Sequence, residues 1–178
     1  MSIYDERVYT VGYLFNDEGT EVALIKKTHP AAQAGLYNGI GGLVKPFEEG
    51  QRCMVREFAE ETGLITPIDL WQKTIYLQGI GWQVFYHRAF STRFIEKLRS
   101  TTKWPTDEHV SIWPVAALPM DKLYNHVAWT LHVSAARNIK FYFRVDDVNQ
   151  ADYICPMCLD TYDKAEHSIC PHCGYGHP

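Results

Sequence analysis

The chain has little fixed positive charge. Its 17 Lys and Arg face 21 Asp and Glu, a formal net charge of −4, so no bulk basic field exists to hold a nucleic-acid backbone. Long hydrophobic runs are missing as well. No apolar stretch approaches the ~18 residues a membrane span needs. The N-terminal MSIYDERVYT has no signal-peptide core and carries Asp5 and Glu6 early, which reads as a cytoplasmic, reduced protein. Cysteine is scarce until the end: Cys53 stands alone, and Cys155, Cys158, Cys170 and Cys173 follow in two C-x2-C pairs. An odd total with that spacing points to metal rather than disulfides. There is no internal repeat and no low-complexity tract. What is present suffices for a core: 46% of the 178 residues are hydrophobic and 13% aromatic, enough for one domain and a small appendage.

Pattern and turn chemistry place the elements. Arg7 to Phe15 is rich in β-branched and aromatic residues, as strands are. Asn16 to Gly19 is hairpin-turn chemistry, and Glu21 to Lys27 returns as a second strand. His29 to Asn38 reads as a loop from its Pro, Gly and Asn. Strands are predicted over Ile68 to Leu77, Gly81 to Ser91 and Val110 to Trp113, with a short helix over Phe94 to Ser100. Asn125 to Ala136 reads as a helix with Val127, Leu131 and Ala135 along one stripe. Ile139 to Val145 alternates as a late strand, and Asp146 to Gln150 is a polar linker. Strands with interspersed helices imply an α/β sandwich around a mixed sheet.

The most informative stretch is Gly42 to Leu64, GLVKPFEEGQRCMVREFAEETGL. Its periodicity predicts a helix from about Glu49 to Thr62, closed by Gly63 at the left-handed C′ position. Glu57 and Glu61 are then i,i+4 on one face, with Glu60 beside them. Like charges at that spacing cost roughly 0.2–0.5 kcal/mol per pair, and acids near a helix C-terminus oppose the macrodipole. A hard divalent cation removes both penalties, because carboxylate oxygens are what Mg²⁺ prefers. A solvated acidic face is the plainer alternative.

The stretch resembles the Nudix box, G-x5-E-x7-R-E-U-x-E-E-x-G-U with U bulky and apolar, at every defined position; the first U is Phe58, where an aliphatic is commoner. The resemblance implies the Nudix α/β/α sandwich over residues 1–147 and hydrolysis of a diphosphate linkage with Mg²⁺ or Mn²⁺. It also implies that Glu57, Glu60 and Glu61 hold the metal, that Arg56 orients them, that Glu48 supports the cluster, and that the Gly42 turn lets the backbone approach the metal. The proton of the attacking water goes to one of these glutamates or to a carboxylate outside the box. Glu108, just before the Val110 strand, is the candidate there, with an exposed loop acid as the alternative.

Upstream, Tyr37-Asn38-Gly39-Ile40-Gly41-Gly42 is similar to the MutT-like and oxidised-purine nucleoside triphosphatase branch, in which the Asn contacts the base. That makes Asn38 a candidate base contact. Independently of the resemblance, Lys26 and Lys27 end the second strand where they could meet phosphates, and Tyr37, Trp82 or Trp113 could stack on a base, with core packing the alternative for the aromatics. Asn125 and His126 stand where relatives read the purine edge. Each has a structural alternative: a turn residue for Asn38, a helix N-cap for Asn125, a surface lysine for Lys27. The branch commonly has Lys where Leu43 stands, so the resemblance is incomplete. The S-Q-P-W-P-F-P segment of NADH pyrophosphatases is absent. So are the downstream Pro of ADP-ribose hydrolases and the Tyr of dinucleoside polyphosphate hydrolases. The expected substrate is a small-molecule purine nucleoside triphosphate, oxidised or not; the alternatives are a diphosphate-bridged nucleotide such as ADP-ribose, NADH or a dinucleoside polyphosphate and, more remotely, an RNA 5′ end or a ligand-sensing role without catalysis.

At the C-terminal end, Cys155-Pro-Met-Cys158 and Cys170-Pro-His-Cys173 are separated by the eleven residues 159–169, the pattern of a short zinc ribbon. Four thiolates suit a tetrahedral structural Zn²⁺ with no open position for catalysis. Residues 148–178 are thus read as linker and ribbon, folded by their metal. Lys164 is the only Lys or Arg in that segment, which favours a bracing or homodimer-forming role over nucleic-acid binding.

Overall fold

Strand residues alternate between two faces, and here both faces of the sheet are apolar. In β1 (Arg7–Phe15), Tyr13 and Phe15 join one core cluster while Leu14 joins the other; in β2 (Glu21–Lys26), Val22 and Leu24 part from Ala23 and Ile25 in the same way. Such near-continuous hydrophobic strands need cover on both sides. The computed structural model, which describes residues 7–79 and 82–137 together with the backbone of 143–145, 152–154 and 161–163, shows what supplies it.

After β1 and β2 come the two-residue β3 (Tyr37–Asn38), α1 (Gly50–Thr62), β4 (Gln72–Gly79), β5 (Trp82–Phe90), α2 (Thr92–Ser100), β6 (His109–Pro114), α3 (Val127–Ala135) and β7 (Phe143–Val145). The strands form one mixed sheet. β1 runs parallel to β5 over its whole length, and β4 parallel to β7. The other strand pairs are antiparallel. All of β2 pairs with β6, while its opposite edge is shared by the end of β1 and by β3. Helices α1 and α2 supply Met54, Phe58, Phe94, Ile95 and Leu98 to one cluster, and α3 supplies Val127, Trp129 and Leu131 to the other. The result is the expected α/β/α layering. Burial of a Met or Phe side chain contributes roughly 1.5–3 kcal/mol, so Met54 and Phe58 alone hold α1 firmly. Phe58 also meets Trp71, ring centroids 5.4 Å apart, so the aromatic has a large partner at the box position where an aliphatic is commoner.

The β1–β2 turn is built by Asn16, whose Oδ1 accepts from the Thr20 and Glu21 N–H groups at 2.8 and 3.0 Å. Three expectations shift. Ile68–Leu70 forms a 3-10 turn after Pro67, so β4 begins at Gln72 and not at Ile68. α3 begins at Val127 with His126, rather than Asn125, as its N-cap, and its buried set of Val127, Trp129, Thr130, Leu131 and Ser134 is wider than one stripe. β3 lies inside what the composition marks as loop. Residues 139–142 of the late strand and the linker 146–150 lie outside the described residues.

A separate antiparallel pair, β8 (Asp152–Ile154) and β9 (Thr161–Asp163), brackets the first cysteine pair in sequence. Cys155, Cys158, Cys170 and Cys173 themselves lie outside the described residues. Among the described residues no helix is long and apolar enough to cross a membrane.

Candidate active site

Helix α1 ends as its sequence requires. Gly63 takes φ 74°, and its N–H caps the Ala59 carbonyl. The helix therefore runs unbroken through Arg56, Glu57, Glu60 and Glu61. Facing it is segment 40–44, laid against β1 by the Gly12 N–H to the Ile40 carbonyl (2.7 Å), the Thr10 N–H to the Gly42 carbonyl (2.9 Å) and the Val44 N–H to the Val8 carbonyl (2.8 Å). The Gly42 carbonyl is thus engaged with β1. Its Cα packs so closely on Glu57 that a Cβ would stand 2.5 Å from Oε2. Any side chain there would displace the carboxylate.

Arg56 is the hub of one half of the site. Its Nε and Nη2 donate to the two oxygens of Glu48 at 2.8 and 2.9 Å, a bidentate fork. Nη1 donates to Glu57 and, at 2.9 Å, to Glu60. Nη2 also reaches the Leu43 carbonyl at 3.0 Å and the Cys53 sulfur at 3.2 Å. The hydrogen bonds from Arg56 hold the Glu48 carboxyl down at about 2, against a smaller opposing push from burial. Glu48 in turn raises Arg56 further above its already high value. Cys53, one helical turn before Arg56, is buried, and burial pushes its thiol up to about 12. It is a filler and weak acceptor here, not a nucleophile.

Lys27 is the hub of the other half. It follows β2 directly and donates to Glu108 Oε2 at 2.6 Å and to Glu61 Oε1 at 3.3 Å. The second oxygen of Glu108 accepts the Thr28 N–H at 3.0 Å, and that of Glu61 the Gly41 N–H at 3.0 Å. Both carboxylates are buried, 3% exposed for Glu108 and 7% for Glu61, so Glu108 is not the exposed loop acid of the alternative reading. Burial pushes Glu61 up to about 7, outweighing Lys27 and the Gly41 N–H, which pull it down. Burial also lowers Lys27, but the two carboxylates more than compensate and its value is raised.

Five carboxylates, Glu48, Glu57, Glu60, Glu61 and Glu108, thus share two internal cations, so acidic groups outnumber their internal counter-ions. Glu60, half-exposed, has an oxygen 3.9 Å from the exposed Lys45 ammonium, and Glu57 Oε2 has no hydrogen bond among the described residues. All the uncommitted donors are hard oxygens. That donor set fits a hard divalent cation, for which Glu57, Glu60 and Glu61 are the candidate ligands. Among the described residues no three His, Cys, Asp or Glu side chains converge at metal-binding distance; Glu57 and Glu60 are engaged by Arg56, and Glu61 by Lys27 and the Gly41 N–H.

The residues expected to contact substrate fall on two neighbouring segments. Tyr37 pairs with Leu123, and its carbonyl accepts the Tyr124 N–H at 2.9 Å, which brings β3 beside the stretch leading to Asn125 and His126. The Tyr37 ring meets Trp113 edge-on, centroids 5.3 Å apart. The Asn38 amide is engaged locally, accepting from the Gly39 N–H at 2.8 Å and donating to Gln33 at 3.3 Å. Asn125 is exposed. The His126 ring stands 6.4 Å from that of Trp82, and burial lowers its pKa. Lys27 lies among carboxylates instead of on this surface. Sequence reasoning missed the ion-pair role of Lys27, the Gly41 N–H on Glu61 and the Leu43 carbonyl on Arg56. None carries a local signal, because each joins segments distant in the chain or uses backbone atoms.

A family model described as the NUDIX domain matches residues 6–137. No curated protein sequence matches the chain significantly. Among solved structures, the chain is similar to a MutT from a study of Aliivibrio salmonicida and Vibrio cholerae, with TM-score 0.55 and 16% identity over 72% of this chain and 96% of that one. An ADP-ribose pyrophosphatase from Streptococcus suis gives TM-score 0.55 and 16% identity over 80% and 99% of the two chains. The NUDIX domain of NrtR from Shewanella oneidensis, solved with ADP ribose, gives 0.56 and 18% over 74% and 88%. At such identities the likeness is one of fold.

Proposed function

The chain belongs to the NUDIX domain family and is a Nudix hydrolase, and on that premise we propose that it cleaves a purine nucleoside triphosphate, oxidised or not, to the monophosphate and pyrophosphate. The carrying observation is the acidic site on α1, whose five carboxylates exceed their two cations. Glu57, Glu60 and Glu61 would hold a divalent cation, Mg²⁺ or Mn²⁺, which would supply charge neutralisation for the phosphoryl oxygens and acidify a water. The chain's own residues do the rest. Arg56 holds Glu57 and Glu60 side by side through one amino group. Glu61, with one oxygen on the Gly41 N–H and the other toward Lys27, is one candidate to take the proton of the attacking water. Glu108 keeps Lys27 in place and is the second candidate for that proton. One phosphoanhydride P–O bond breaks, one P–O bond to water oxygen forms, and pyrophosphate leaves.

Triphosphate preference rests on Tyr37 and Asn38, which open beside the segment carrying Asn125 and His126. The neighbours solved as an ADP-ribose pyrophosphatase and with ADP ribose make a diphosphate-bridged nucleotide the second reading, and the engaged Asn38 amide leaves room for it. Mg²⁺-dependent hydrolysis of a nucleotide panel, resolved by mass spectrometry, separates the two. Monophosphate and pyrophosphate from a purine triphosphate are expected, while AMP from ADP-ribose with triphosphates untouched would overturn the triphosphate reading. Glu60→Gln, at a half-exposed position, is expected to fold normally and to lose about 100-fold or more in activity; full activity would sink the metal assignment.

The four C-terminal cysteines are assigned to a structural Zn²⁺ in a ribbon that braces the domain or pairs two copies of it. The expected result is one zinc per purified chain by elemental analysis, with chelation disordering 152–178 while the NUDIX domain stays folded. No zinc, or loss of the whole fold on chelation, would refute it.

A further inference from the structure

Lys27 sits where a cation is needed and is not itself a metal ligand. Its ammonium bridges two buried carboxylates drawn from separate segments, at 2.6 Å from Glu108 and 3.3 Å from Glu61. The asymmetry of the two bonds decides which one yields first. Glu108 is fixed through both oxygens, one on Lys27 and one on the Thr28 N–H. Glu61 holds Lys27 by the longer contact and is anchored independently by the Gly41 N–H. The Lys27 backbone is itself pinned, its N–H on the Leu36 carbonyl and its carbonyl on the Gly35 N–H, so the ammonium can pivot but cannot leave. Arg56 differs: its fork is saturated by Glu48, Glu57, Glu60, the Leu43 carbonyl and Cys53, and yields none of them without breaking others.

We propose that Lys27 is a resident counter-ion that occupies the place of the divalent cation on Glu61, and that metal binding displaces its ammonium from Glu61 while Glu108 retains it. Lys27 is thereby a positioning residue. It keeps Glu61 compensated and the buried site folded without metal, it sets metal affinity by competing for the same oxygen, and on release it is presented, still tethered, to an anionic substrate. The inference rests on the metal-dependent reading of this site.

Two measurements test it on the full-length protein with Mn²⁺ as the probe. Wild type and Lys27→Met are titrated with Mn²⁺ by electron paramagnetic resonance without nucleotide. Removal of a competing unit charge at ion-pair distance is expected to tighten Mn²⁺ binding by about tenfold or more, with lower thermal stability in the absence of metal. Equal or weaker Mn²⁺ binding in the variant, with only the nucleotide KM raised, would overturn the proposal and make Lys27 a plain phosphate contact. Absence of Mn²⁺ binding by wild type would overturn both the proposal and the metal reading beneath it. Should Lys27→Met not fold, a crystal structure of wild type with Mn²⁺ decides: the Lys27–Glu61 contact is expected to open and the Lys27–Glu108 contact to persist. A Lys27–Glu61 bond intact beside bound Mn²⁺ would overturn it.

Discussion

Arg56 and Lys27 neutralise one acidic site from opposite sides and by different physics. The partners of Arg56 all lie between thirteen residues before it and four after it in the chain, on its own helix or the loop that enters it. Its planar fork meets them bidentately and cannot lose its proton. The partners of Lys27 lie 34 and 81 residues away, and its ammonium is a point charge between buried oxygens. The Arg56 half sits near the surface, with Glu60 53% exposed, and its carboxylate Glu48 is held strongly acidic. In the buried Lys27 half, desolvation defeats the ion pair and Glu61 is pushed up to about 7. The same pairing of Glu with a cation therefore gives opposite acidities, and burial is what reverses the sign. One half is a rigid frame; the other is poised to exchange a proton or a cation.

Removing the frame should show the largest effect. Arg56→Met strands Glu48, Glu57 and Glu60 together and is expected to cost about 2–4 kcal/mol of stability at pH 7, toward the lower end for a partly exposed cluster. Urea denaturation measures it, and added Mg²⁺ should recover part of the loss, since cation and Arg56 oppose the same charges. A loss below about 1 kcal/mol would place the cluster among screened surface pairs.

The two halves also predict opposite slopes of stability against pH in metal-free protein. Glu48 is depressed from 4.5 to about 2, so its contribution is present above pH 4.5 and is lost as pH falls toward 2. Glu61 is raised from 4.5 to about 7, so the folded state binds the extra proton and stability declines as pH rises from 4.5 to 7. Glu48→Gln should flatten the acid limb alone and Glu61→Gln the neutral limb alone, in denaturation series from pH 3 to 8. If either variant flattened both limbs, the halves would be one coupled unit.

The smallest effect concerns the loop that enters the frame. Phe47, beside Glu48, is fully exposed and holds φ 65°, a left-handed conformation that a bulky residue adopts at a cost and glycine adopts freely. Phe47→Gly is expected to raise stability by roughly 1 kcal/mol, read as an upward shift of Tm. No gain, or a loss, would mean that the aromatic ring contributes an interaction offsetting its strain.

Local spacing carried most of the Arg56 half. The i,i+4 relation of Glu57 and Glu61, the Gly63 cap and the helix itself follow from periodicity. β1 was legible from its β-branched and aromatic content, whereas the burial of both sheet faces emerged only from packing. The boundaries that moved did so for identifiable reasons. A 3-10 turn after Pro67 delays β4, and an uncapped start at His126 shortens α3. Tyr37–Asn38 becomes a strand only because β2 offers it an edge.

Residue types and their spacing along one helix determined that Arg56, Glu57, Glu60 and Glu61 sit together on α1, since this depends on neighbours a turn away. Which carboxylate is buried, that Lys27 closes on Glu61 and Glu108, and which glutamate gains a raised proton affinity were decided only in three dimensions. Desolvation is a property of the packed environment, and the segments that bury Glu61 and Glu108 meet through the sheet, not through the sequence.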